Sequence, residues 1–200
     1  IAHQCFLIGD TLTKHFVWDG MRAIDYLLTR PEVDKHRIGS MGGSGGGTLT
    51  RFISAVDERV RISIPVVSAA SKGGVGGASD GEQNVPGHVL GRIWSRDQWW
   101  LLPPRPLLNL NASEDKSYQT ALASLAELKQ GYRLFDREAD AVVLEAPGRH
   151  GIIDEMRRSA YEFIDRYWGS ETPVRPVRVG EGALEKPADL WATETGQVWT

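Results

Sequence analysis

Apolar and polar positions divide this chain into helical and extended segments that follow one another in turn. Phe6-Leu7-Ile8 is a short apolar patch behind a polar start. From Phe16 to Thr29, the residues Val17, Met21, Ile24, Leu27 and Leu28 recur at helical spacing. Asp19 near the start suits the helix dipole, and Arg30-Pro31 stops the ladder. Arg37 to Met41 predicts a strand, and Thr48 to Val56 a helix with Leu49, Phe52, Ile53 and Val56 on one face. Val60 to Val67 predicts a second strand, with Pro65 marking an irregular end. The glycine-rich stretch 71–87 reads as a long loop, and 87–100 as helical in part. Leu107 to Asn111 predicts a third strand. Ser117 to Phe135 predicts a helix with Ala121, Leu122, Leu125, Leu128 and Tyr132 along one side. A fourth strand, Ala141 to Glu145, precedes a closing helix from Ile152 to Trp168, with Met156, Ala160, Phe163, Ile164 and Tyr167 inward.

Strands that alternate with helices predict an α/β fold, a mostly parallel sheet with helices on both faces. No internal repeat is visible. The alternation fills residues 1–168. Residues 169–200 change character: Pro173, Pro176 and Pro187 interrupt any helix. They read as an extended tail, with Trp191, Val198 and Trp199 as the residues expected to dock part of it.

Composition narrows the function classes. A length of 200 residues is about one domain, and 41% hydrophobic with 24% charged residues is ordinary for a globular protein. A net charge of -3 argues against a nucleic-acid surface or a polybasic membrane patch. No apolar run reaches membrane-spanning length, so a soluble protein, cytoplasmic or exported, is expected. Cys5 is the single cysteine, which excludes an internal disulfide and a cysteine-rich metal site. The chain begins at Ile1 with no signal-peptide pattern, so a processed chain or a piece of a longer one is expected. Core and surface packing accounts for most of the seven tryptophans. Trp94, Trp99 and Trp100 are the candidates for stacking on a substrate ring.

The chemistry concentrates at Gly42-Gly43-Ser44-Gly45-Gly46, which fits G-x-S-x-G between a predicted strand and a predicted helix. That spacing makes a nucleophile elbow: the serine sits on a sharp turn, and the residues two away on either side must lack side chains. A serine needs a base to take its proton and an acid to orient the base. Asn109 to Asp115 ends the third strand, with Asp115 the preferred acid and Glu114 its competitor. Pro147-Gly148-Arg149-His150-Gly151 follows the fourth strand, with His150 the preferred base and His88 its rival. Each also has a plain reading: a loop serine, a helix cap at Asp115, a surface histidine. The order Ser, Asp, His at successive strand ends favours the catalytic reading. A phosphate loop would need lysine where Thr48 stands. No G-x-G-x-x-G register fits, and no H-E-x-x-H or paired metal-ligand cluster is present. No metal and no organic cofactor is expected.

Trp18-Asp19-Gly20-Met21-Arg22-Ala23-Ile24-Asp25-Tyr26-Leu27, Arg30-Pro31-Glu32-Val33-Asp34, Arg37-Ile38-Gly39 and Ser44-Gly45-Gly46-Gly47-Thr48 resemble the bacterial acetyl xylan esterase-like, or dienelactone hydrolase-like, branch of the α/β-hydrolases. Asp80-Gly81-Glu82-Gln83-Asn84 resembles an acidic loop of that branch, and Pro104-Arg105-Pro106-Leu107-Leu108 and Pro147-Gly148-Arg149-His150-Gly151 resemble its strands carrying acid and base. The resemblance covers most of residues 6–168. It implies Ser44, Asp115 and His150 as nucleophile, acid and base, with the Gly45 N–H in the oxyanion hole. Glu82 is a substrate-contact candidate on the same basis. The family's first strands and its His-Gly loop have no match here. The expectation is therefore an N-terminally short sheet of about four strands, with an exposed edge that a second copy could cover and one oxyanion donor still to be supplied. The glycine loop 73–87 is a candidate source.

The activity implied is hydrolysis of an acetylated carbohydrate or other short-acyl ester through an acyl-enzyme. A prolyl-oligopeptidase-like peptidase shares the elbow and the order. A non-catalytic relative of the fold is the third reading.

Overall fold

The computed structural model describes residues 2–68, 95–115, 117–169, 185–191 and 193–196. The chain divides into two units, Ile1–Ser170 and Glu171–Thr200. The first unit contains the elements α1 (Ala2–Leu7), α2 (Leu12–Leu28), β1 (Ile38–Gly43), α3 (Gly45–Val56), β2 (Val60–Val66), a 3₁₀ segment (Ser95–Leu101), β3 (Leu107–Ala112), α4 (Ser117–Arg133), β4 (Ala141–Ala146) and α5 (Asp154–Trp168). The four strands form one sheet in the order β1-β2-β3-β4, and every pair is parallel. The expected α/β architecture is found, with four strands among the described residues. Among the described residues β1 pairs only with β2 and forms the sheet's edge.

Period-two alternation assigns the faces. Leu108 and Leu110 of β3 join Ile62, Ile64 and Val66 of β2 in a cluster closed by Met156, Ala160 and Phe163 of α5. Leu107, one residue from Leu108, belongs to a different cluster with Leu128 and Tyr132 of α4 and Ala141 of β4. Helices therefore cover both faces. Full burial of a leucine or isoleucine contributes roughly 1.5–3 kcal/mol, so these side chains provide most of the sheet's cohesion.

Three helix readings need correction. α2 starts earlier than its apolar pattern suggests, because Thr11 caps it by accepting a hydrogen bond from the Lys14 N–H. Asp19 is thus mid-helix, away from the dipole's positive end. α3 turns its small and polar side to the sheet. Gly47, Thr48, Thr50, Arg51 and Ser54 are buried, while Val56 is exposed and Leu49, Phe52 and Ile53 are only partly covered. Hydroxyl pairs replace apolar packing there: Ser40 Oγ donates to Thr50 Oγ1 at 3.3 Å, and Ser54 Oγ donates to Ser63 Oγ at 3.0 Å. In α4, Leu128 and Tyr132 are buried as expected but Leu122 is exposed. β2 runs through Pro65 to Val66, and its expected irregular end falls at Val67, which has φ 42°.

The second unit has a 3₁₀ turn at Pro187–Leu190, and a Cβ at Gly196 would meet the Trp191 ring at 2.8 Å. Val198 and Trp199 lie outside the described residues.

Arg59 ties α2 to the α3–β2 turn. Its guanidinium donates to Asp57 Oδ1 at 2.8 Å, to Asp57 Oδ2 at 2.5 Å and to Asp25 Oδ1 at 2.5 Å. These hydrogen bonds hold the buried Asp57 carboxyl below the usual carboxylate range. A depressed folded pKa stabilises the fold above the unfolded value near ~4, and that stability is lost as pH falls through the folded value. Asp57→Asn should lower stability by about 1–3 kcal/mol at neutral pH. Urea unfolding at stepped pH should show the gap between wild type and variant closing on acidification.

Candidate active site

In a parallel sheet the loops beyond the strands' C-terminal ends form the natural binding face. β1 ends there at Ser44, β3 leads to Asp115, and β4 leads to His150.

Ser44 adopts φ 57° and ψ -120°, a conformation that costs a non-glycine residue on the order of 1–3 kcal/mol. Two hydrogen bonds fix it: the Ser44 N–H donates to the Val66 carbonyl at 2.9 Å, and the Ser44 carbonyl accepts from the Thr48 N–H at 3.0 Å. The turn depends on close backbone approach. A Cβ on Gly42 would lie 2.5 Å from the Gly46 carbonyl. A Cβ on Gly47 would lie 2.5 Å from Ser68 Cβ and 2.8 Å from the Val66 carbonyl oxygen. Gly46 has open space at its Cβ position, so the downstream glycine demanded by space is Gly47 and not the Gly46 of the pentapeptide. Gly45 is the first residue of α3, so its N–H belongs to the helix's unpaired, partly positive end. That end can receive an anionic oxygen.

The serine's surroundings include groups that the sequence reading missed. Thr48 Oγ1 and Ser68 Oγ are 3.2 Å apart, joining α3 to the end of β2. Arg51 is buried one turn further along α3, and burial pushes its pKa down to about 10. Val67 has φ 42°, an outlier for a β-branched residue, where the chain leaves β2.

His150 Nδ1 is hydrogen-bonded to Asp115 Oδ2. A carboxylate only accepts, so Nδ1 carries the proton and Nε2 keeps the lone pair. The Asp115 side chain is 11% exposed and that of His150 53%. Glu114, the competing acid, turns instead to Arg149 at 3.4 Å.

The two loops are sewn together beside this pair. The Gly148 N–H donates to Ser113 Oγ at 3.1 Å, the Glu114 N–H to the Gly148 carbonyl at 2.9 Å, and the Ser113 N–H to the Ala146 carbonyl at 3.0 Å. Ser113 was not foreseen. Its signal was its place between the end of the third strand and the candidate acid.

Ile152, two residues past His150, lies against the elbow: a Cβ on Gly43 would meet Ile152 Cγ1 at 3.0 Å. The histidine loop therefore passes beside the residue before Ser44. Ser44 Oγ and His150 Nε2 are not hydrogen-bonded to each other here. Such contacts commonly tighten only in the substrate complex.

Trp99 is 3% exposed and enclosed with Leu102, Leu107, Leu128 and Tyr132, which corrects its reading as a cleft wall. Trp100 is exposed, but its ring lies 3.1 Å from the Cβ position of Gly131 near the end of α4. Both tryptophans sit toward the strands' N-terminal ends, away from Ser44. The hydrophobic demand of the α4 packing accounts for them. Trp94, Glu82, His88 and the glycine loop 73–87 lie outside the described residues. Among the described residues no group of three His, Cys, Asp or Glu could hold a metal ion, and no helix is long and apolar enough to cross a membrane.

Known proteins resemble parts of this chain. Residues 9–71 match the family model of acetyl xylan esterase. Over 68 residues the chain is 29% identical to YtaP of Bacillus subtilis (strain 168), spanning 34% of this chain and 23% of that protein. The solved structure of methylesterase BT1017 superposes with a TM-score of 0.66 at 26% identity, over 78% of this chain and 36% of that one. The chain has the α/β-hydrolase fold. A glucuronoyl esterase from Solibacter usitatus has the same fold at a TM-score of 0.63 and 21% identity, over 76% of this chain and 48% of that one. Another, from Caldicellulosiruptor kristjansonii, has a TM-score of 0.64 at 17% identity, over 86% of this chain and 54% of that one. This chain thus spans about a quarter to about half the length of these relatives.

Gly47→Ala should destabilise the fold by about 1–3 kcal/mol through overpacking. Gly46→Ala should be neutral or stabilise α3 by up to about 1 kcal/mol. Thermal melts of the two variants give the comparison, and equal losses would contradict the assignment of the tight contact to Gly47.

Proposed function

We propose that this protein is a serine hydrolase of carboxylic esters. The observation that carries the reading is the Asp115–His150 hydrogen bond, made at the same sheet end as a serine held at positive φ on a strand-to-helix turn. Ser44 Oγ attacks the ester carbonyl while His150 Nε2 takes its proton. Asp115 fixes the tautomer and stabilises the imidazolium that forms. The developing oxyanion is received at the α3 N-terminus, with the Gly45 N–H as one donor. His150 then returns the proton to the leaving alcohol, and water, deprotonated by the same imidazole, releases the acid from Ser44.

An ester of a carbohydrate is the substrate class we favour. The support is the likeness of residues 9–71 to the acetyl xylan esterase family and the fold shared with a methylesterase and two glucuronoyl esterases. The edge at β1, open among the described residues, and the exposed Leu7 on α1, Ile8 just after it, and Trp18 and Tyr26 on α2 favour cover by further polypeptide, a second copy among the candidates.

Ser44→Ala should lower turnover of a short-chain chromogenic ester by about 10⁶-fold. Asp115→Asn should lower it by about 10⁴-fold through the wrong imidazole tautomer. Steady-state kinetics on an ester and a peptide substrate in parallel test the reading. Retained ester turnover in Ser44→Ala would reject it, and preference for the peptide would favour the peptidase.

A further inference from the structure

The opposite end of the sheet carries a second concave feature. A cleft of about 330 Å³ opens where the strands begin. Among its lining residues are His36 ahead of β1, Arg61 in β2, Arg105 ahead of β3, Arg137 ahead of β4, and Tyr167 and Trp168 at the end of α5. Six-residue strands span roughly 20 Å, so this cleft is well separated from Ser44.

Its charge is unbalanced in a specific way. Arg105 is half-buried, yet its guanidinium donates only to backbone carbonyls: Val60 at 3.0 Å, Asp57 at 3.2 Å, Leu101 at 2.8 Å and Leu102 at 3.3 Å. Those bonds satisfy its N–H groups without supplying a counter-charge. Burial, with the Arg61 charge as a further unfavourable influence, holds its pKa below the usual arginine value. The side chain of the exposed Arg61 makes no ion pair or hydrogen bond among the described residues. The nearby acids are largely engaged. Asp140 is bound by Arg137 and by the Tyr167 hydroxyl at 2.5 Å, and Asp57 by Arg59. Exposed Glu58 and the Arg59-bound Asp57 carboxylate act on Arg105 through their fields alone, which partly offset the repulsion from Arg61. A bound oxyanion would relieve the repulsion between neighbouring guanidiniums and complete the hydrogen bonding of Arg61. The volume lies at the small end for ligand sites, and two aromatic rings border it, which suits a single sugar-sized ring.

We propose that this cleft binds a small sugar bearing a carboxylate or phosphate group, with the oxyanion held by Arg61 in the field of Arg105 and the ring set against Trp168. The site is independent of the ester-hydrolase reading, since none of its residues touches the candidate triad.

Calorimetric titration of the full chain with glucuronate, glucose 6-phosphate and glucose tests the proposal. Runs at low salt and at about 0.3 M salt use the screening of charge attraction. At least one of the two anions should bind at least tenfold more tightly than glucose, and more weakly at the higher salt. Arg61→Gln should weaken that binding about tenfold, the scale of one charge-assisted hydrogen bond. Melting temperature and ester turnover should stay unchanged in the variant. The anion that binds better identifies the ligand's charged group. Equal binding of glucose, no heat with either anion at about 10 mM, or anion binding unaltered by Arg61→Gln would overturn the proposal.

Discussion

The structure depends on how closely two stretches of backbone approach at the end of β1. Gly42 and Gly47 let the chain turn from strand to helix within a single residue, and Ser44 occupies that residue at φ 57°. The strain is held by a neighbour in the sheet, the Val66 carbonyl that receives the Ser44 N–H. Any side chain at 42 or 47 would push α3 away from β2 and release the turn. The same demand explains the polar underside of α3. Where the helix sits this close, threonines and serines paired by hydroxyl contacts line the interface, beside the buried Arg51.

A parallel sheet then does the rest of the positioning. Because β1, β3 and β4 run in one direction, their following loops share one end of the molecule. Segments separated by 35 residues place Asp115 and His150 in hydrogen-bond contact. The bonds around Ser113 and Gly148 hold the two loops as one body. The imidazole orientation therefore rests on backbone geometry as well as on the carboxylate. At the other end the strand starts gather guanidiniums whose nearby carboxylates, Glu58 apart, are already paired. The two ends of one sheet thus present different chemistry: a hydroxyl with an oriented imidazole, and a positively charged cleft.

Much of this was legible in the sequence, for reasons that differ by element. The four strands and the helices between them followed from apolar periodicity, since burial on one or both faces leaves that imprint. The turn around Ser44 and the placing of an acid candidate at Glu114 or Asp115 followed from residue type and strand-end position. The inward face of α3 did not, because a hydroxyl-lined interface carries no hydrophobic signal. The start of α2 was set by Thr11, a capping contact that apolar spacing ignores. Trp99 was misread because a tryptophan filling a core and one walling a cleft look alike in sequence. Gly47 stood outside the five-residue pattern, although it makes the tighter contact. The role of Ser113 came from a bond across 35 residues, which no local pattern announces.

The central claim is that Ser44 is a nucleophile activated by His150. Its most direct measurement is labelling with an active-site phosphonate followed by peptide mass mapping. The account predicts one adduct per chain, on Ser44, with labelling strongly slowed in His150→Ala while the melting temperature holds. No adduct on Ser44, or an adduct formed equally fast without the imidazole, would contradict it.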